Sequence, residues 1–316
     1  MSEKQACTTV CGREFPNICG ACNPSHCGGV DSGPAPAPQP PTPSNASSCN
    51  GNTLQFVNQS NKSVWIYDFP YNSPNGPKQP IGGGSVAAGA LVCVPMTRSR
   101  PGMRVYIADR RLRNSIERGV PPDSGSWSVD RNVMFSFFEY FLEESQDRYT
   151  VNLSYMDEYS FPLTVKFNKV GGYRGAVEDH EYGPKSLSSI KNALARQRDY
   201  NWSSLIWPGM NRIVGPLKVW QYNPRAVPSS FRQFNRSLPK DGRQLFSSRS
   251  NWDGWHQLMN REPSKTGYVK ALHSVTTPDS RGKYGYFCYP IDNRDGEFTW
   301  MPIEIKTTVT IYPDNS

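Results

Sequence analysis

Two carboxylates in unlike surroundings are the residues of this chain best placed to do chemistry. Glu139 sits inside the aromatic run Phe135-Ser136-Phe137-Phe138-Glu139-Tyr140-Phe141-Leu142. Asp157 follows the next apolar stretch, in Asn152-Leu153-Ser154-Tyr155-Met156-Asp157-Glu158-Tyr159. An acid among phenylalanines is desolvated and stays protonated, whereas one beside Ser154 and Ser160 is wetter and stays ionised. A proton donor paired with a water-activating base is what cleavage of a glycosidic bond requires. The plainer reading of each acid is a solvent-facing strand residue, or an ion pair with a nearby arginine such as Arg131 or Arg148.

Strands must carry these groups. Apolar or alternating segments at 53–58 (TLQFVN), 64–69 (VWIYDF), 90–95 (ALVCVP), 103–108 (MRVYIA), 133–142, 149–155 and 163–167 read as β-structure. Leu187, Ile190 and Leu194 recur at helical spacing after serines suited to capping, which predicts a helix over 186–198. Strands return at 284–289 and 303–312 (IEIKTTVTIY). On a strand Phe135, Phe137, Glu139 and Phe141 share one face. In a hairpin that sets Glu139 opposite Tyr155, Asp157 comes within about 7–8 Å on the diagonal, room for one water. We therefore expect that register, or a bulge with the same effect.

The chain has 316 residues, 36% of them hydrophobic and 12% aromatic, with Gly 26 and Pro 28. That size can bury a full core, and that mix favours short strands and long loops. No stretch nears the roughly 20 apolar residues of a membrane span. The net charge of +8 is scattered; its densest stretch, Arg98, Arg100, Arg104, Arg110, Arg111 and Arg113, reads as a solvated basic loop, not a nucleic-acid footprint. Met1 to Gln5 lead to Cys7 with no apolar core, so no signal peptide is expected, although Asn-x-Ser sites at Asn45, Asn58, Asn61, Asn152, Asn201 and Asn235 would suit a secreted protein.

Composition divides the chain into a Cys-rich module at 1–32, a Pro/Ala linker at 33–48, a β domain at 49–170, a mixed α/β domain at 171–275 and strands returning to the β domain at 276–316. Cys19-x-x-Cys22 with His26 and Cys27 could hold zinc, but a disulfide knot suits a single CxxC better. Whether Cys93 and Cys288 pair stays open. The cluster Glu178-Asp179-His180-Glu181 reads as a hydrated loop, because a metal needs ligands from separate elements. No metal and no cofactor are expected. Trp202, Trp207, Trp252 and Trp255 are candidates to stack on sugar rings, with core packing the competing role for each.

In order and spacing, several segments resemble the thaumatin-like β-1,3-glucanases, glycoside hydrolase family 64. They are Val57-Asn58, Gly102-Met103-Arg104-Val105-Tyr106-Ile107-Ala108, Phe138-Glu139-Tyr140, Tyr155-Met156-Asp157 with Phe161-Pro162-Leu163, Arg212-Ile213-Val214-Gly215-Pro216 and Tyr286-Phe287-Cys288-Tyr289-Pro290-Ile291-Asp292. The likeness spans about residues 52–312. It implies a mainly β fold: a thaumatin-like β-sandwich or barrel with an inserted smaller mixed α/β domain, and a groove between the two for a β-1,3-glucan chain. It also implies an inverting, endo-acting hydrolase with Glu139 as general acid, Asp157 as general base, and Tyr155 among the substrate-binding residues. Phe141-Leu142 stand where small polar groups are expected, and Glu158 places a like charge beside Asp157. The alternative is a structural or glucan-binding protein of a coat, shell or virion, assembled through residues 1–30 and without catalysis. Either would act outside the cell or on a cell or particle surface, without nucleic acid.

Overall fold

The computed structural model describes residues 49, 52–70, 77, 79–97, 102–123, 129–130, 132–143, 147–169, 178–198, 201–215, 218, 229–231, 267–288 and 297–314. The expected Cys-rich module, the linker, Trp252 and Trp255 lie outside them. Residues 40–316 form one compact unit, and everything below concerns that unit.

The fold is mainly β. In chain order the strands are β1 (Thr53–Asn58), β2 (Trp65–Pro70), β3 (Leu91–Pro95), β4 (Met103–Ala108), β5 (Phe135–Leu142), β6 (Arg148–Leu153), β7 (Glu158–Tyr159), β8 (Leu163–Lys169), β9 (Glu181–Tyr182), β10 (Ile213–Val214), β11 (Glu297–Pro302) and β12 (Ile305–Ile311). Among the described residues three α-helices accompany them: α1 (Arg113–Arg118), α2 (Leu187–Arg196) and α3 (Gly267–His273). Strands β3-β1-β12-β8-β9 make one five-stranded sheet and β11-β6-β5-β4-β2 the other, with β7 and β10 as a separate pair. All the sheet pairings are antiparallel except β1 with β12.

Alternation builds the sandwich. On the inner face of the second sheet Ile66, Val105, Ile107, Phe138, Leu142, Val151 and Leu153 are buried, and they join Leu54, Phe56, Val165, Val309 and Ile311 of the first sheet in one core. Phe56 meets Phe138 edge to face at 6.0 Å across that interface. Burying such aromatic and branched side chains contributes on the order of 2 kcal/mol each. Helix α2 starts where Ser186 accepts a hydrogen bond from the Ser189 amide, and it buries Leu187, Ile190 and Leu194. These side chains, with Tyr268 and Leu272 of α3, extend the same core.

Several expectations change. Of the strand expected at 284–289, the described residues 284–288 form none; among them Phe287 makes only an isolated parallel bridge to Ser154. The basic stretch is not one loop, since Arg104 lies within β4 and Arg113 opens α1. Cys93 is bonded to Cys49, with Cα atoms 5.6 Å apart, and Cys288 is buried in the core. Asn58 is fully buried and its amide donates to the Lys62 and Val86 carbonyls, so it is no glycan acceptor. Among the described residues no helix is long and apolar enough to cross a membrane.

Candidate functional site

The outer face of the second sheet changes character along its strands. At one end Tyr67, Phe69, Tyr106, Ala108, Phe135 and Phe137 form a second apolar cluster with Leu112 and Val133. At the other end the register lines up Phe69, Arg104, Glu139 and Asn152 directly across β2, β4, β5 and β6. Glu139 is thus a cross-strand partner of Arg104, and Arg104 Nε donates to its Oε1 at 2.6 Å.

Glu139 does not stand opposite Tyr155. The hairpin pairs Glu139 with Asn152 and Phe138 with Leu153. A slip of an odd number of residues reverses the faces. Continued as a regular strand, β6 would carry Asp157 to the inner face, away from Glu139. It does not continue. Beyond Leu153 the Tyr155 amide donates to the Phe287 carbonyl at 2.8 Å, and the Tyr268 hydroxyl donates to the Tyr155 carbonyl at 2.6 Å. The chain turns at Met156 and Asp157, and Asp157 Oδ2 arrives 3.7 Å from Arg104 Nη2.

Gly215 makes that turn possible. Its amide donates to the Asp157 carbonyl, and a Cβ there would overlap the Met156 carbonyl and crowd that of Asp157. Glu158, the neighbouring like charge, points the other way: it is buried and ion-paired with buried Arg212 at 3.4 Å. Alternation thus removes it from the site.

Arg104 holds a third acid. Its Nη1 donates to Asp123 Oδ2 at 3.1 Å, while the Tyr106 hydroxyl donates to Asp123 Oδ1 at 2.6 Å. Lys218 Nζ stands 3.6 Å from the same carboxylate. The Arg104 guanidinium lies over the Phe137 ring, 4.5 Å from its centroid. One planar fork therefore serves three carboxylates, a geometry that arginine can supply and lysine cannot. Through it Glu139 Oε1 and Asp157 Oδ2 are held no more than about 9 Å apart. Their side chains retain 24% and 16% exposure, against 4% for Asp123.

Burial pushes the Glu139 carboxyl above the usual glutamate range, although Arg104 opposes it. Burial also pushes at Asp123, but there Lys218 and Arg104 together prevail and hold it below the ordinary range. Glu139 and Asp123, on one guanidinium, are thus shifted in opposite directions by their environments.

The other anticipated residues scatter. Tyr155 is buried, edge-on to Tyr159 and Tyr286, and its hydroxyl donates to the Leu163 carbonyl at 2.8 Å. It braces the turn that carries Asp157 and presents no ring face outward. Trp202 is buried beside Tyr268. Trp207 is half-buried, packs on Arg212 and lines an open pocket of about 640 Å³ with Arg110, Met134 and Met210. Arg212 also covers Phe135, four residues and about 13 Å along β5 from Glu139. The 178–181 acids disperse to Ser280, Lys166 and Lys185, and His180 reaches the Thr277 carbonyl.

Sequence reasoning passed over Arg104, Asp123 and Lys218. For Arg104 a signal was present: it shares strand parity with Tyr106, opposite Val105, on a strand whose every other outward residue is apolar.

The chain is therefore a mainly β, two-sheet protein with a clustered acidic site on the outer face of one sheet. No family model and no curated protein matches the chain. Among solved structures, a laminaripentaose-producing β-1,3-glucanase in complex with laminaritetraose is similar over 84% of this chain and 100% of its own, at 12% identity and a TM-score of 0.49. A family 64 β-1,3-glucanase domain from Clostridium beijerinckii covers 84% of this chain and 99% of its own, at 11% identity and a TM-score of 0.44. The family 64 laminaripentaose-producing β-1,3-glucanase from Paenibacillus barengoltzii, complexed with laminarihexaose, covers 83% and 76%, at 13% identity and a TM-score of 0.46.

Proposed function

We propose that this protein is a glycoside hydrolase that cleaves β-1,3-glucan internally and with inversion, outside the cell or at a cell surface. The observation that carries the reading is the convergence of Glu139 and Asp157 on the Arg104 guanidinium. In it Glu139 gives its proton to the departing glycosidic oxygen. Asp157 takes a proton from a water that attacks the anomeric carbon from the opposite face. The bound of about 9 Å on the acid separation is compatible with the roughly 6.5–9.5 Å that leaves room for that water. The choice of glucan rests on the resemblance of the motifs around both acids, and the reaction as drawn uses side chains alone.

Glu139→Gln and Asp157→Asn should each cut laminarin hydrolysis at least about a thousandfold while leaving laminari-oligosaccharide affinity within about threefold. Loss of binding with turnover of the bound fraction intact would refute the assigned roles.

One observation favours a second reading, a glucan-binding or structural protein without turnover. The 2.6 Å contact between Arg104 and Glu139 is an ion pair, and an ion pair favours the ionised carboxylate, which has no proton to give. Glucan binding by the wild type, with no reducing ends released, would select that reading.

A further inference from the structure

Asn152 holds a polar atom that the fold leaves without a partner. Its Oδ1 is shielded from solvent and makes no hydrogen bond, a situation that costs about 1–3 kcal/mol when nothing compensates it. Asn152 stands directly opposite Glu139 in the β5–β6 register. Directly opposed side chains have Cβ atoms about 4.5–5.5 Å apart, close enough for a glutamic acid to reach an amide oxygen. The flanks of Glu139 differ. From β4, Arg104 engages Oε1; from β6 comes Asn152, an uncharged group with an idle acceptor. Thr150, the other outward residue nearby on β6, already donates to Glu143.

An amide oxygen beside a carboxylate is an orphan, because neither atom carries a proton. Add a proton to Glu139 and the second carboxyl oxygen becomes a donor, for which Asn152 Oδ1 is the acceptor in place. We infer that Asn152 is a positioning residue that holds Glu139 in its protonated form. The inference rests on Glu139 being the acid of the proposed reaction. The charged groups that face Glu139 are Arg104 from β4, Asp157 from the turn after β6 and, beyond Arg104, Asp123, which Lys218 faces in turn. Arg104 favours the ionised form, and the two aspartates favour the protonated one. Asn152 adds a directed contact available only to the neutral acid, and burial works in the same direction.

The test is a carbon-13 NMR titration of the Glu139 carboxyl in the wild type and in Asn152→Leu, with Asn152→Ala as a second variant and Asn152→Gln as the conservative rescue. Loss of the acceptor should weaken proton binding at Glu139 about tenfold, the equivalent of one hydrogen bond. At a pH where Glu139 is ionised the melting temperature should not fall in Asn152→Leu, because the atom removed then makes no bond. Asn152→Gln should recover part of the proton affinity. In a hydrolysis assay the alkaline limb of kcat/KM should move to lower pH in Asn152→Leu. An unchanged Glu139 titration in both variants overturns the inference. A rise in proton affinity also overturns it, since it would mean that the amide donates to the carboxylate. A wild type that cleaves no glucan fails the proposed function instead, while the titration still reads the Asn152 contact on its own.

Discussion

Replacing Arg104 by Met removes the one group that three carboxylates share, and its cost can be worked from the contacts. Asp123 is nearly sealed from solvent and loses its 3.1 Å donor, keeping Tyr106 and a lysine at 3.6 Å. Breaking a buried pair by deleting one partner costs about 3–5 kcal/mol, because the remaining charge is stranded. In a unit this size that lowers the melting temperature on the order of 10 °C. The pair of Asp109 with Arg110, whose own side chain is 61% exposed, is the milder control: water can replace the guanidinium and the Met134 amide still donates to Asp109, so Arg110→Met should cost less than Arg104→Met. Urea denaturation of Arg104→Met, Asp123→Asn and the double variant measures the coupling, which should exceed about 1 kcal/mol. The second change should cost less once the arginine is gone. A loss below about 1 kcal/mol in Arg104→Met, or strict additivity with Asp123→Asn, would refute the three-way grip. Hydrolysis assays on the same protein should show lost turnover, since Asp157 would no longer be held beside Glu139.

Other outcomes follow from single features. Gly215→Ala should displace the Met156–Asp157 turn and cut hydrolysis at least tenfold at unchanged fold, as read by kcat/KM alongside circular dichroism. Asp68 is pushed up to about 7 by burial, only partly offset by the Tyr140 hydroxyl. The native state then keeps a proton that the unfolded chain releases above about pH 3.8. Stability should therefore be highest below about pH 4 for this group and fall as pH rises to about 7, by at most about 4 kcal/mol. In Asp68→Asn that decline should vanish from denaturation midpoints measured across the window.

Alternation made most of the sheets legible. TLQFVN and MRVYIA are strands over their full expected lengths, because each buries alternate residues against the facing sheet. Strand β11 escaped notice: its six residues end in Pro302 and its pairing to β6 carries a register shift. Helix α1 was equally hidden, with six residues, two arginines at its ends and no side-chain cap. The acids themselves could be read from their neighbours, but their meeting could not. It depends on Gly215, Tyr268 and Phe287, which lie 58 to 130 residues beyond Asp157 and leave no mark in the local pattern of 152–157. The expected hairpin register erred because periodicity fixes which residues share a face of one strand, not which residue a neighbouring strand sets against it.

The parallel seam between β1 and β12 has a further consequence. Gln55 and Thr308 touch across 253 positions of sequence, so the middle of one sheet joins two distant segments of the polypeptide. As the ribosome releases it, β1 has β3 for company and one bare side. Its central partner arrives only after every other described strand has been made. Cooperative closure of that layer must follow synthesis, which favours slow acquisition of the native state. During the wait a naked β1 flank invites mispairing with other molecules, and a chaperone would have reason to attend it.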